Sequence, residues 1–395
     1  MARAGSENAR APRRPRNMND TPAPTGPLRG LRVIEFAGIG PGPFAGMLLA
    51  DMGADVIVIE RAGSAAGDAP ANVMNRGKRS VVLDLKNAAG RDAAWRLLES
   101  ADALIEGYRP GVMERLGFDP DTVAARCPRL VYGRVTGWGQ TGPLAHAAGH
   151  DINYVALTGA LSTSCRPGQA PVIPATLVGD MGGGAMFLAF GIACALIEAA
   201  RSGHGQVVDA AMIDGVAAMG ALVHQMRGSG TWHDDPARNF FLNSSPFYEV
   251  FECADGRWVT LGAIEPQFYA ELLRRLGLGD VDPKRQYDTA AWPALKARVA
   301  ALLRTEPQAH WCRLLEGSDA CFAPVLGLGE AAEHPHNAAR GLLVEVDGKL
   351  QPAPAPRLSR TPARAPQPGA RRGEHTDEVL GELGYDAAAI ARLRE

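Results

Sequence analysis

Net charge is the first thing this 395-residue chain lacks: 41 Lys and Arg stand against 43 Asp and Glu. No global field therefore calls for nucleic acid or an anionic membrane surface as a partner, and any anion site must be local. Paired cysteines are missing too. The six present (127, 165, 194, 253, 312 and 321) sit far apart, with no CxxC pair and no Cys/His spacing of the kind that holds zinc. That argues against a disulfide framework and against a metal site, and it fits a reducing, cytoplasmic compartment. The longest apolar run, Ala185 to Ile197, has 13 residues and ends at Glu198. A membrane span needs roughly 20, so a core helix is expected there and no membrane partner. No internal repeat is present. What remains is 46% apolar and 21% charged, the composition of a globular chain, at a length that suits two domains.

Residues 1–26 are rich in Pro, Ala and Arg without helical or strand period, and are expected to be a disordered tail. Five arginines (3, 10, 13, 14 and 16) raise an organelle transit peptide, against which Glu7, the prolines and the missing amphipathic face count; a start at Met18 is an equal reading. Residues 27–225 then read as a large α/β domain. Val33 to Phe36 and Ala54 to Ile59 are β-prone runs flanking a glycine-rich turn and a helical stretch, Phe44 to Met52. Such a βαβ unit implies a parallel sheet. Further strands are expected at Ser80 to Leu85, Ala103 to Glu106 and Leu130 to Val135, with a helix at Gly90 to Ser100. From Asp151 to Val223 the pattern is helical, broken at residues 201–206.

Residues 226–245 read as a linker, and 246–330 as a smaller α+β domain. Its clearest signal is FYEVFECADGRWVTLGA, two alternating strands around an AspGly turn, which predicts a hairpin. Helices are expected at Gln267 to Leu276, Ala290 to Leu303 and Gln308 to Leu315. A polar strand pair and a Pro-rich extended connector, 352–368, lead to a short helical tail. The fold class is thus a doubly wound, Rossmann-like α/β domain joined to a smaller α+β domain.

The run Gly38 to Gly42, after a strand and before a helix, with Glu60 ending the second strand, imitates a dinucleotide-binding fingerprint. Pro41 and Pro43 remove N–H donors where a pyrophosphate would need them, so NAD is disfavoured. A different adenine nucleotide carrier, coenzyme A, needs arginines for its phosphates and an apolar channel for its arm. Arg61, Arg76, Lys78, Arg79, Arg109 and Arg115 are the candidates. Arg109 and Arg115 stand out because they follow a strand at its carboxyl end, where open α/β sheets bind ligands.

Three short stretches offer acid and base groups. His150 and Asp151 lie in AAGHDINY, Asp180 in LVGDMGGG and Glu265 in GAIEPQFY. Each has a plain structural reading, N-capping for the two aspartates, a satisfied structural role for the histidine and surface exposure for Glu265. If His150 and Asp180 face each other across a thioester, they can remove and return a proton on opposite faces of its α-carbon without metal or redox cofactor. Free N–H groups after His150 would then hold the enolate oxygen.

With LRGLRVIEFAGIGPGPFAGMLLADMGADVIVIER, NRGKRSVVLDLK, EGYRPGVMERLG, GWGQTGPLAHAAGHDINY, LVGDMGGG, GQVVDAAMIDG, LGAIEPQFY and GEHTDEVLGELGY, the chain resembles the family III CoA-transferases, and within them the α-methylacyl-CoA racemase branch, from about Pro27 to Tyr385. The resemblance implies His150 and Asp180 as proton-transfer residues, acting on the S and R epimers respectively, with Glu265 supporting His150. It implies contacts to CoA or the acyl thioester from Arg61, from Val82, Leu83, Asp84 and Leu85, from Arg109 and Arg115, and from the stretch Gly149 to Tyr154. No cofactor beyond the CoA moiety of an acyl-CoA substrate is implied. It also implies an interlocked homodimer, each site lying between the large domain of one chain and the small domain of the other, and a C-terminal return, within 331–395, to the large domain. In the transferase branch the residue matching Asp151 is an acyl-accepting nucleophile. That branch usually follows it with GlnAla and lacks the preceding His; here AsnTyrVal stands at 153–155. Racemisation is therefore the expected activity, transfer of CoA between carboxylic acids through Asp151 the alternative, and a silent CoA-binding protein the third reading. An apolar surface bearing Met181, Met186, Met212, Met219 and Met226 suits an acyl chain, though core packing explains those residues equally well.

Overall fold

The computed structural model describes residues 26–61 and 72–394, so the expected tail lies, but for Gly26, outside the described residues. Six parallel strands form the main sheet: β1 (Arg32–Phe36), β2 (Asp55–Glu60), β3 (Arg79–Val82), β4 (Ala103–Glu106), β5 (Val131–Thr136) and β6 (Val207–Ala211). Their order is β3-β2-β1-β4-β5-β6, with Ile34 beside Ile57 on one side and Leu104 on the other. The order reverses between β1 and β4, which opens a crevice at their carboxyl ends.

Alternation along the strands builds two cores, since successive side chains point to opposite faces. Ile34, Phe36, Ile57, Leu104 and Tyr132 pack with the helix Ala88–Glu99 on one face. Val33, Val56, Ile105, Val131 and Val135 pack on the other with the helices Pro41–Asp51 and Phe187–Ser202. Val379, Leu380, Ile390 and Leu393 from the end of the chain join the first core. The same C-terminal segment covers the free edge of β3, with Gly373 N–H donating to Ser80 Oγ (2.7 Å), His375 N–H to the Ser80 carbonyl (3.0 Å) and Val82 N–H to Thr376 Oγ1 (3.2 Å). An edge strand paired in this way offers no template to another chain.

The helical reading of 151–223 needs correction at β6. Val207–Ala211 pairs with β5 in parallel register, but this five-residue edge strand is largely exposed at its start, so it carries too little alternation to stand out between helices. The third strand is shorter than expected, because residues 83–85 leave the ladder and turn toward the next helix.

The helix that begins at Leu177 runs unbroken to Ser202, its first ten residues π-helical. Its 26 residues are long and apolar enough to cross a membrane by length and composition, which the 13-residue run did not reveal. Leu188, Ile192, Ala195 and Ala199 face the second core, whereas Leu177, Met186, Phe190 and Ile197 on the other side are exposed.

The expected hairpin forms between β7 (Tyr248–Glu252) and β8 (Trp258–Gly262), with β9 (Phe322–Pro324), unread in the sequence, added antiparallel to β8. Phe247, Phe251, Val259 and Leu261 bury against Leu272, Trp292, Leu303 and Trp311, from the helices Pro266–Arg275, Trp292–Leu303 and Gln308–Leu315. Residues 229–245 are folded rather than featureless: Asn239 is buried and binds both the N–H and the carbonyl of His233 (2.9 and 2.7 Å). The polar pair β10 (Leu343–Val346) and β11 (Lys349–Pro352) precedes the irregular Pro-rich connector. All six cysteines are free thiols.

Candidate active site

The glycine-rich loop follows β1 at the place where the strand order reverses. Gly40 adopts a left-handed backbone (φ 72°) immediately before the helix Pro41–Asp51, a conformation that disfavours any side chain with a Cβ. A Cβ there would also stand 3.8 Å from Oδ2 of Asp180. The dinucleotide reading fails at Glu60. Its carboxylate accepts a short hydrogen bond from Ser80 Oγ and lies 3.8 Å from Arg372 Nε, so it is engaged within the chain.

The six basic candidates separate cleanly. Arg76 is buried in a bidentate pair with Asp51 (3.1 and 2.6 Å), Lys78 is buried against Glu35 (2.7 Å), and Arg79 is tied to Asp55, Glu378 and Glu382. These three are structural. Arg61, Arg109 and Arg115 are exposed, and none of them has an ion pair among the described residues. Arg61 directly follows β2, while Arg109 lies in the turn after β4 and Arg115 in the short helix Val112–Leu116 that this turn leads into. All three charges are thus left free at the carboxyl ends of strands. Val82 ends β3, and Leu83, Asp84 and Leu85 follow it at the same edge; Asp84 accepts from Lys86 N–H (3.0 Å) and starts the turn into the helix Ala88–Glu99.

His150 caps the helix Asp151–Leu157, where its N–H donates to Asn153 Oδ1 (3.0 Å). Its ring is exposed. Asp151 is 7% exposed, and its Oδ2 accepts from the N–H groups of Gly179 and Asp180 at 2.7 and 2.8 Å. That carboxylate therefore ties the histidine turn to the π-helical segment bearing Asp180. Unusual helical turns of this kind recur at functional sites. The Asp180 carboxyl is pushed above the usual aspartate range, first by burial and then by the Asp151 charge, while His150 pulls the other way. Tyr154 is raised by burial and by Asp180, with Arg109 opposing. Five groups, with His150, Asp151 and Tyr154 from one stretch and Arg109 and Asp180 from two others, thus share one electrostatic environment. Tyr154 Oη closes the stretch Gly149 to Tyr154 by donating to the Gly149 carbonyl.

Trp138 was not singled out from the sequence. It meets the Tyr154 ring edge-on at 4.7 Å, and its buried Nε1 has no hydrogen-bond partner among the described residues; its place in GWGQTGP is the available signal.

Glu265 is not brought to this cluster within the chain. It is exposed, at the start of the helix Pro266–Arg275, and its charge acts on Tyr287 and Cys321. Among the described residues no hydrogen bond or ion pair joins it to His150. No group of three His, Cys, Asp or Glu side chains placed to hold a metal occurs among the described residues.

The sequence profile of CoA-transferase family III matches residues 28–376. The chain belongs to CoA-transferase family III. It is 44% identical to an α-methylacyl-CoA racemase of Mus musculus over 93% of this chain and 96% of that one, and 40% identical to an α-methylacyl-CoA racemase of Homo sapiens over the same shares. Among solved structures it is similar to a CAIB/BAIF family protein from Brucella suis, at 26% identity and a TM-score of 0.78, with 91% of this chain and 100% of that chain covered. The parallel six-stranded sheet and small antiparallel sheet are thus the architecture this family III chain has in common with a solved relative.

Proposed function

We propose that this protein is a 2-methylacyl-CoA racemase, interconverting R and S thioesters by moving the α-proton. The observation that carries the reading is the joint environment of His150 and Asp180, one exposed imidazole and one carboxyl held toward its neutral form. An imidazole and a carboxyl that share one environment supply the two groups that two-base proton transfer needs. The names of the mouse and human relatives support it.

On one face neutral His150 takes the α-proton of the S epimer, and the C–H electron pair moves onto the thioester oxygen as an enolate. Protonated Asp180 then returns a proton to the opposite face, giving the R epimer; the reverse reaction uses the groups in exchanged roles. The first-turn N–H groups of Asp151 and Ile152, without acceptors among the described residues, are available to the enolate oxygen. Arg61, Arg109 and Arg115 hold the CoA phosphates, with Val82 to Leu85 and Gly149 to Tyr154 along the nucleotide and the thioester arm. No cofactor beyond that CoA moiety enters.

Glu265 supports His150 from a second copy of the chain. Its distance from the cluster in one chain supports an interlocked homodimer, as does the exposed apolar face bearing Leu157, Leu177, Met186, Phe190 and Ile197. Covered by a partner, that face needs no membrane. Six free thiols support a reducing, cytoplasmic setting.

Proton NMR of the protein with a 2-methylacyl-CoA in heavy water tests the activity. The α-proton signal disappears and the methyl doublet collapses, and His150→Ala impairs both. A persistent α-proton, with CoA passing to an added carboxylate, would replace this reading by transfer through Asp151.

A further inference from the structure

Two side chains unused in the chemistry above hold the two ends of the glycine-rich loop. At its start Tyr108 Oη donates to the Ala37 carbonyl (3.0 Å). At its far end Lys78 Nζ donates to the Pro43 carbonyl (2.8 Å). Neither belongs to the loop's own strand and helix. Tyr108 follows β4 and directly precedes Arg109, so its bond spans the crevice at the point where the strand order reverses. Lys78 directly precedes β3.

The Lys78 ammonium is fully buried. Its other bonds go to Glu35 Oε2 (2.7 Å) and Asn75 Oδ1 (3.4 Å), so all three N–H groups are directed. Glu35 Oε1 is without a partner among the described residues. A buried ion pair of this kind is rarely more stable than apolar residues filling the same space, so stability alone gives no reason for it. Position does: the pair fixes a carbonyl in the first turn of the helix that the loop opens into. The loop has little means of holding itself, because Pro41 and Pro43 lack N–H donors. Between the two anchors lies Gly40, which faces Oδ2 of Asp180.

We propose that Lys78 and Tyr108 are positioning residues that clamp the glycine-rich loop against Asp180 and keep water from the carboxyl that serves one face of the α-carbon. The catalytic consequence rests on the racemase reading; the clamp itself does not. The other groups acting on Asp180 are Asp151 and His150, with Tyr154 beside it and Arg109 acting on Tyr154.

The test uses the full chain as Tyr108→Phe, which removes one hydroxyl, and as the double variant Glu35→Leu with Lys78→Met, which replaces the ion pair by apolar side chains. Amide hydrogen exchange over residues 36–47 and α-proton wash-in from each epimer separately are measured for variants whose thermal unfolding stays cooperative. Expected are faster amide exchange in that segment and wash-in from the Asp180-served epimer reduced roughly tenfold or more. Wash-in from the other epimer and KM stay within about twofold, and the Asp180 limb of the pH profile moves to lower pH. Unchanged amide protection, or an equal loss from both epimers with a fixed pH limb, overturns the clamp. If the wild type exchanges no α-proton, the racemase reading fails alone. The clamp is then decided by segment protection together with carboxyl titration of Asp180 by carbon NMR: both moving in Tyr108→Phe supports it, and neither moving overturns it.

Discussion

Asp151 holds the backbone of Asp180. One carboxylate oxygen takes both the Gly179 and the Asp180 N–H, which leaves a buried group engaged in orienting its neighbour. That engagement is the structural role of Asp151 in the racemase reading, where the same group need not act as a nucleophile.

Asp151→Ala removes the shared acceptor of one buried and one half-buried donor, a change worth about 1–3 kcal/mol for the buried one. The expected outcome is a lower melting temperature and slower, still detectable α-proton exchange. Hydroxylamine trapping of the wild type during turnover should give no modified Asp151; a stoichiometric hydroxamate at that residue would establish the transferase route.

Asp180 sits above its ordinary pKa because of burial, so the folded state holds its proton more tightly than the unfolded chain. The contribution to stability is complete below the unfolded value, about 4, and is lost as pH rises through the folded value. Asp180→Asn should thus abolish racemisation yet raise the melting temperature at pH 7, with the gain vanishing below about pH 4. Thermal unfolding of both proteins across that range checks the sign, and a gain that grows on acidification would contradict it.

The sorting of the basic residues makes a paired prediction. Arg109→Ala and Arg115→Ala should raise KM for the thioester several-fold with kcat little changed, and the wild-type KM should itself rise with salt because exposed charges are screened. Arg76→Ala removes half of a buried pair and should cost about 3–5 kcal/mol of stability, seen in urea unfolding. Equal effects of the two classes on KM would undo the assignment.

If Glu265 completes the site of the partner, two dead variants can rescue each other. Chains bearing His150→Ala and chains bearing Glu265→Ala, unfolded together and refolded, should recover about a quarter of wild-type activity, since half the dimers are mixed and each mixed dimer has one intact site. No recovery beyond the separate variants would place Glu265 within its own chain's site or outside the chemistry.

Local pattern carried much of the fold. Alternating strands around an AspGly turn, helical periodicity at 308–315 and the strand, glycine turn, helix order at 33–59 depend on interactions between near neighbours, and each is present where expected. β6 and β9 were not legible, because a short edge strand is defined by the partner it pairs with and not by its own five or three residues.

The candidate groups themselves, His150, Asp151, Asp180, Glu265 and six basic residues, were all visible as residue types in short motifs. Which of them meet and which stay free depends on how the chain folds. Arg76, Lys78 and Arg79 have their charges paired with carboxylates from other strands and helices, while Arg61, Arg109 and Arg115 do not. Asp151 is placed on the Asp180 backbone by chain folding across 29 residues. Glu265 is left apart from both. The reason is physical: motif chemistry resides in a few adjacent side chains, whereas burial, pairing and pKa are set by groups that the chain brings together from far along its length.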